Sequence, residues 1–170
     1  MRVQLCLLAA CLSPAAVGAQ SKPAPPDCSA AEHRAFDFWV GEWTVTDSAG
    51  TKSIGKNSIA RTEQGCLLHE RWSGGGGTSG QSFNYYDRQR GQWEQLWVSS
   101  NGNVLRLAGN RESSAMVLKG EQPAPGGGET LQEIRWTPQP DGRVRQTWRQ
   151  SGDGGGTWQV VFDGWYRRDR

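Results

Sequence analysis

The chain has 170 residues, with 19 Lys and Arg against 17 Asp and Glu, so its formal net charge is only +2. This near-neutral balance argues against a nucleic-acid partner, which would require a basic stripe or patch. Hydrophobic residues make up 35% of the chain, and its 23 Gly and 9 Trp indicate a folded, turn-rich domain, not a disordered one.

Residues 1–19 read MRVQLCLLAACLSPAAVGA and have the features of a secretory signal peptide. Arg2 forms a short basic region, residues 3–12 are mostly apolar, and 17–19 form a small-residue cleavage site. The apolar stretch is shorter than the ~20 residues that a transmembrane helix requires, and no later segment is apolar enough to span a bilayer. We therefore predict cleavage after Ala19 and a periplasmic or secreted protein without a membrane span.

The cysteines divide into two pairs. Cys6 and Cys11 fall within the predicted signal peptide, where LAAC at 8–11 resembles a bacterial lipobox, so a lipid anchor at Cys11 is the alternative to a soluble exported protein. Cys28 and Cys66 remain after cleavage, and an even cysteine count in an exported chain predicts a disulfide between them. Two separate buried thiols are the alternative.

A Pro-rich tail and a short helix precede the rest of the chain. Residues 20–28 are predicted to form a flexible tail. Ser29 and Glu32 have the spacing of a capping box, and Gly41 suits a helix C-terminus, so we predict one helix between them. Its apolar positions follow helical spacing: Ala35, Phe36, Trp39 and Val40.

Beyond Gly41 the pattern is entirely that of short strands separated by Gly-, Asn- and Pro-containing turns. We predict strands at 42–47, 53–62, 66–73, 81–87, 92–99, 103–109, 115–121, 129–137, 143–150 and 157–167. Because the gaps are short, strands adjacent in sequence should pair antiparallel. The predicted fold is all-β, with 29–170 forming a single up-and-down antiparallel barrel of about 8–10 strands, since closure removes exposed sheet edges.

Alternation within three strands predicts an interior that mixes indoles with amides. In 143–150, Gln146 and Trp148 share a face that excludes the arginines. The equivalent faces of 81–87 and 92–99 complete the set of predicted ligand contacts: Asn84, Tyr86, Gln95, Trp97, Gln146 and Trp148. Inward polar groups need partners or water, so such a barrel could hold a pocket. The alternative is that the amides satisfy one another in a filled core.

His69, Glu70 and Arg71 form the densest titratable cluster on a predicted strand. If His69 and Arg71 point inward, they could bind an anionic head group, with Arg71 as a ligand contact, or His69 could ligate haem iron. If Glu70 points inward, its buried carboxyl could act as a general acid or base. The remaining interpretation is that the inward side chain is a satisfied core residue and the outward one is solvated.

The segment that enters the first strand carries a resemblance to a known family. A helix, then Gly-Glu-Trp at 41–43, then a meander resembles the lipocalin and wider calycin pattern. In that pattern the Trp, here Trp43, lies across the closed end of the barrel, and a basic residue of the last strand covers it. Arg167 or Arg168 would supply that cation. The strings FDFWVGEW at 36–43 and GCLLHERW at 65–72 resemble a group of exported, lipocalin-like bacterial proteins of unknown function.

Residues 151–158, SGDGGGTW, match the Asp-box pattern S-x-D-x-G-x-T-W of bacterial sialidases. In that motif the Asp, here Asp153, accepts backbone N–H groups of a hairpin turn, and the Trp, here Trp158, packs beneath it. Sialidases repeat the motif across propeller blades, whereas this chain has one copy and is too short for a propeller. We therefore predict a structural turn and not a glycosidase.

Two functions follow from these features. The first is an exported protein that binds a small apolar or amphipathic ligand inside the barrel. The alternative is an enzyme on the same scaffold, an isomerase, hydratase or hydrolase that uses Glu70 or His69. An inward acid opposed by a second titratable group would favour catalysis, and a lone polar anchor would favour carriage.

No metal site is predicted, because the histidines and cysteines lack the spacing of zinc ligands. Haem, through His69, is the one cofactor that these residues suggest. The oligomeric state is left open.

Overall fold

The computed structural model describes residues 28–124 and 126–169. The predictions for the signal peptide, the lipobox and most of the Pro-rich tail fall on residues 1–27, outside the described part. The described chain forms one short helix, two 3-10 turns and ten strands: α1 Ala31–Arg34, 3-10 turns at Asp37–Trp39 and Glu63–Gly65, β1 Gly41–Thr46, β2 Ser53–Thr62, β3 Leu67–Gly74, β4 Ser79–Asp87, β5 Gln92–Ser99, β6 Val104–Glu112, β7 Ala115–Pro123, β8 Glu129–Pro138, β9 Val144–Ser151 and β10 Gln159–Arg168.

The ten strands form a closed antiparallel barrel. Each strand pairs with its neighbours in sequence, and β1 pairs with β10 through Thr44 opposite Arg167 and Val45 opposite Tyr166. This confirms the predicted all-β, up-and-down, calycin-like fold class with a short N-terminal helix. All ten predicted strands are present, and the largest difference in their limits is at β6, which continues to Glu112 instead of ending at 109.

Strand direction gives the barrel two different ends. Because consecutive strands alternate in direction, the β2–β3, β4–β5, β6–β7 and β8–β9 loops lie at one end, together with the segment that precedes β1. We call this the closed end. The other five loops lie at the open end, including the β3–β4 loop and the Asp-box turn between β9 and β10.

The closed end is sealed by the segment at 31–39, which is less helical than predicted. α1 ends at Arg34, and Phe36 leaves helical geometry with φ −106° and ψ 9° before the 3-10 turn. The N-cap is Ala30, which makes no side-chain cap hydrogen bond, and not Ser29 as predicted. The apolar face still forms, because Phe36 and Trp39 are buried with ring centroids 4.9 Å apart. Their stack packs against Trp136 of β8.

Trp43 and Arg168 complete this seal. The Trp43 side chain is 1% exposed, and the Arg168 guanidinium lies over its ring at 4.3 Å from the centroid. Trp43 Nε1 donates to the Trp39 carbonyl at 2.9 Å, and Arg168 Nη1 donates to the Val40 carbonyl at 2.8 Å. The cation expected over Trp43 is therefore Arg168. Arg167 faces outward on β10 and is exposed, because side chains alternate along the strand.

A disulfide joins Cys28 to Cys66, as predicted. The two residues are 38 positions apart, and the bridge ties the start of the described chain to the residue that precedes β3 at the closed end. Cys28 is buried. The last residue of the predicted tail is thus fixed to the body of the barrel.

The Asp-box segment forms the predicted hairpin turn. Asp153 accepts hydrogen bonds from the backbone N–H and the hydroxyl of Thr157 at 2.8 and 2.7 Å, and from the Ser151 hydroxyl at 2.7 Å. These donors hold the pKa of Asp153 well below its ordinary value. Trp158 is partly buried beside the turn, with the Arg149 guanidinium 4.6 Å from its ring centroid.

Candidate functional site

The barrel interior is filled at the closed end and hollow toward the open end. The hollow part is a cavity of about 320 Å³, a volume typical of small-molecule sites. Gly74, Gly75, Gly76 and Thr78 of the β3–β4 segment border its mouth. A filled core is the alternative to a pocket that the sequence leaves open, and the cavity shows that the interior is not uniformly filled.

The cavity has a polar floor below an aromatic collar. On three strands a polar residue precedes a Trp by two positions: Glu70 and Trp72 on β3, Gln95 and Trp97 on β5, and Gln146 and Trp148 on β9. These strands all run from the closed to the open end, so each polar residue lies deeper than its Trp. On β10, which runs the other way, Tyr166 lies deeper than Phe162. We define the floor as Glu70, Gln95, Gln146 and Tyr166, and the collar as Trp72, Trp97, Trp148 and Phe162.

Glu70 is the acidic group of the floor. Its side chain is 5% exposed; Oε1 accepts from Asn57 Nδ2 at 2.7 Å, and Oε2 accepts from the Ser82 hydroxyl at 2.5 Å. Burial raises the pKa of Glu70 to about 7, against the smaller opposing effect of these two hydrogen bonds. A carboxyl group with this pKa exchanges its proton near neutral pH.

Tyr166 joins Glu70 in one hydrogen-bonded network. Asn57 Nδ2 also lies 3.2 Å from the Tyr166 hydroxyl, which donates to Gln146 Oε1 at 2.5 Å. Burial, and then the charge on Glu70, raise the pKa of Tyr166 well above its ordinary value. The phenol therefore keeps its proton and acts as a donor at physiological pH.

Two predicted ligand contacts, Asn84 and Tyr86, do not line the cavity. Asn84 lies beneath the floor, where Nδ2 donates to the Ser82 hydroxyl at 2.8 Å and Oδ1 accepts from Gln95 Nε2 at 2.7 Å. Tyr86 lies deeper still, with its ring against His33 at the closed end. The predicted inward face is right for both residues. Because β4 runs toward the closed end, these two residues lie far along the strand, beyond the level of the cavity. Asn84 therefore supports floor residues instead of contacting a ligand.

His69 and Arg71 lie on the outer face of the barrel, which corrects the prediction of Arg71 as an interior contact. His69 Nε2 is 2.8 Å from Gln81 Oε1, and Arg71 is exposed beside an outer groove. The reason is the alternation of β3, which turns Glu70 inward and its two neighbours outward. Haem inside the barrel would therefore not meet His69. Among the described residues, no Lys, Arg or His lines the cavity.

Four of the six predicted amide, phenol and indole contacts line the cavity: Gln95, Trp97, Gln146 and Trp148. The prediction missed other wall residues: Trp72, Phe162, Tyr166 and Trp136. The repeated polar-x-Trp spacing would have identified Trp72. Trp136 is 1% exposed, and its Nε1 has no hydrogen-bond partner within the described ranges. A buried donor of this kind is unusual.

We expect Glu70 to make the protein less stable as the pH rises from about 4.5 to about 7. The pKa of Glu70 is higher in the folded state than its ordinary value of 4.5, so the folded protein binds this proton more tightly than the unfolded chain. The resulting stabilisation is complete at low pH and is lost through this window, by about 3 kcal/mol. Urea unfolding of wild type and Glu70→Gln across this range measures the difference. Parallel stability curves for the two proteins would contradict the expectation.

Comparisons with known proteins do not assign the cavity a function. No protein-family model matches the chain, and a search of curated proteins finds no match. Within the part of the chain that the structure describes, no helix is long and apolar enough to cross a membrane. The same residues contain no group of three or more His, Cys, Asp and Glu that could hold a metal ion.

Proposed function

We propose that this protein is an exported binding protein that holds a small apolar or amphipathic molecule in the barrel cavity. The observation that carries the proposal is the 320 Å³ cavity, with an aromatic collar at the level of its mouth and a polar floor beneath it. The collar would supply apolar contact area, and the floor would fix the orientation of one polar group. The Cys28–Cys66 disulfide supports export, because such bonds persist in oxidising compartments. Membership of the exported, lipocalin-like proteins that the chain resembles is part of the same proposal.

Two indoles of the collar pack against glycines, which supports a binding role. A Cβ atom on Gly55 would lie 2.4 Å from the tip of the Trp72 ring, and one on Gly80 would lie 2.3 Å from the Trp97 ring. Both indoles therefore lie directly against the backbone of the neighbouring strand. This arrangement keeps two of the largest side chains against the wall and leaves the space between them open.

Gly80→Ala is expected to weaken ligand binding by about tenfold or more. The added methyl would force the Trp97 ring off the wall and into the cavity, and steric overfilling of this kind costs ~1–3 kcal/mol. The measurement is a fluorescence titration with N-phenyl-1-naphthylamine, a neutral probe whose emission rises in apolar sites. Gly152→Ala is the matched control, since its Cβ would meet nothing within 4 Å. Equal probe affinity in folded Gly80→Ala and wild type would contradict the proposed site.

An enzyme that uses Glu70 is the second candidate. It is favoured by the buried Glu70 carboxyl, whose pKa is about 7, and by the Tyr166 phenol, which opposes it across Asn57. Such a pair could exchange a proton with a substrate. The binding role is the better supported, because no cation lines the described cavity to stabilise a developing negative charge.

The two candidates are separated by the fate of the bound molecule. Native mass spectrometry of protein isolated from its source identifies a co-purifying ligand, which is then incubated with fresh protein. Recovery of the molecule unchanged supports carriage. Conversion that is lost in Glu70→Gln would establish the enzyme instead.

A further inference from the structure

The charge of the cavity restricts the ligands it can hold. The ionisable side chains of its wall are Glu70 and Tyr166, and no Lys, Arg or His of the described residues lines it. A carboxylate or phosphate group at the floor would lie against an acid without a compensating cation. Burying such an unpaired charge is strongly unfavourable. The floor therefore selects against anionic amphiphiles.

Glu70 lines the cavity and has unused capacity to accept hydrogen bonds. An ionised carboxylate offers about four acceptor positions, and the Glu70 side chain uses one for Asn57 and one for Ser82. The groups that face Glu70 are Asn57 from β2, Ser82 from β4 and, through Asn57, Tyr166 from β10. Of these three described residues, Tyr166 is the one with a titratable side chain. A ligand with several N–H donors and a positive charge would complete the site.

The collar suits the same kind of molecule. Trp72 and Phe162 form an edge-to-face pair with ring centroids 6.2 Å apart, and both line the cavity with Trp97 and Trp148. Indole and phenyl faces attract cations and bury apolar groups equally well. A positively charged ligand would thus meet favourable groups along the whole path from the mouth to Glu70.

We infer that the ligand is an amphipathic amine, whose ammonium group binds Glu70 at the floor and whose aromatic or alkyl body lies within the collar. This inference rests on the proposed binding function and specifies its ligand class. The ammonium donates its N–H groups to the carboxylate, as in other charge-assisted pairs. The interaction needs the ionised acid, so a proton leaves Glu70 when the amine binds at a pH where the acid is protonated.

Three probes with one shared body test this inference by isothermal titration calorimetry on the full exported chain. Tryptamine, tryptophol and indole-3-acetate carry an ammonium, a hydroxyl and a carboxylate on the same indole. At about pH 8, where Glu70 is ionised, we expect tryptamine to bind about tenfold to a hundredfold more tightly than tryptophol. Indole-3-acetate should bind most weakly. The preference for the amine should shrink at about pH 5.5, where Glu70 is protonated.

Glu70→Gln should abolish the preference for tryptamine, so that tryptamine and tryptophol bind this variant with affinities within about threefold of each other. Retained binding of N-phenyl-1-naphthylamine shows that this variant is folded. Glu94→Gln is the matched control, because Glu94 points outward from β5, where it pairs with Tyr85 and Arg90, and it should keep the preference.

Equal affinities for the three indoles, tighter binding of the anion, or a preference that survives in Glu70→Gln would overturn the inference and leave the binding function standing. Failure of all three indoles and of N-phenyl-1-naphthylamine to bind would overturn both.

Discussion

Replacing Trp43 with alanine is expected to destabilise the barrel by about 3–5 kcal/mol, the cost of removing a large buried aromatic side chain. Trp43 is 1% exposed and is held by the Trp39 carbonyl on one side and the Arg168 guanidinium on the other. Its removal leaves a cavity beneath Arg168 and takes away the ring that this cation covers. Urea denaturation followed by far-ultraviolet circular dichroism measures the loss.

Trp43→Phe separates the contributions at this position. Phenylalanine keeps an aromatic ring beneath Arg168 but cannot donate to the Trp39 carbonyl. We expect this variant to lose about 1–2 kcal/mol, because one hydrogen bond and part of the packing are removed. A Trp43→Ala variant that loses less than about 1 kcal/mol would show that the seal contributes little to stability.

The second large effect is expected at the disulfide. The double variant Cys28→Ser, Cys66→Ser should lose about 2–4 kcal/mol, because the bridge closes a loop between residues 38 positions apart and restricts the unfolded chain. Thermal unfolding with and without a reducing agent measures this loss. The reducing agent should lower the melting temperature of wild type and leave the double variant unchanged.

A thiol titration after unfolding is the control for this prediction. Wild type should show no free thiol from Cys28 or Cys66 without a reducing agent. Two free thiols, or equal stability of wild type and the double variant, would contradict the role of the bridge.

Strand positions and the faces of their side chains could be read from the sequence, because alternation has a fixed period of two. The same rule could have oriented the cluster at 69–71. Leu68 and Trp72 lie on the same side of β3 as Glu70, and apolar neighbours mark the inward face. An inward Arg71 rests on its chemistry alone and goes against this pattern.

Depth along the barrel could not be read from the sequence in the same way. Asn84 and Tyr86 face inward, as Gln95 and Trp97 do, yet only the latter pair lines the cavity. The depth of a side chain depends on where its strand begins relative to its neighbours and on which end is sealed. Both are set by contacts between residues far apart in sequence, which a pattern within one strand does not contain.

The local sequence pattern also did not predict how the short segments at the closed end pack. Gly41 was interpreted as a helix C-terminus, but its lack of a side chain has a second cause. A Cβ atom there would lie 2.1 Å from Arg168 Nη1, and the backbone has φ +146°. The position therefore leaves room for the guanidinium to reach both the Val40 carbonyl and the Trp43 ring. This requirement comes from the far end of the chain.

The two ends of the barrel have different roles: the closed end stabilises the fold, and the open end gives access to the cavity. The aromatic plug, the Trp43–Arg168 stack and the disulfide lie at one end, while the collar and the five open-end loops lie toward the other. Substitutions at sites that share no partners act on free energy almost independently. The collar side chains pack against the core cluster that contains Trp43, so the positions to exchange for new cargo are those of the five open-end loops, and this makes the chain a suitable scaffold for engineered receptors.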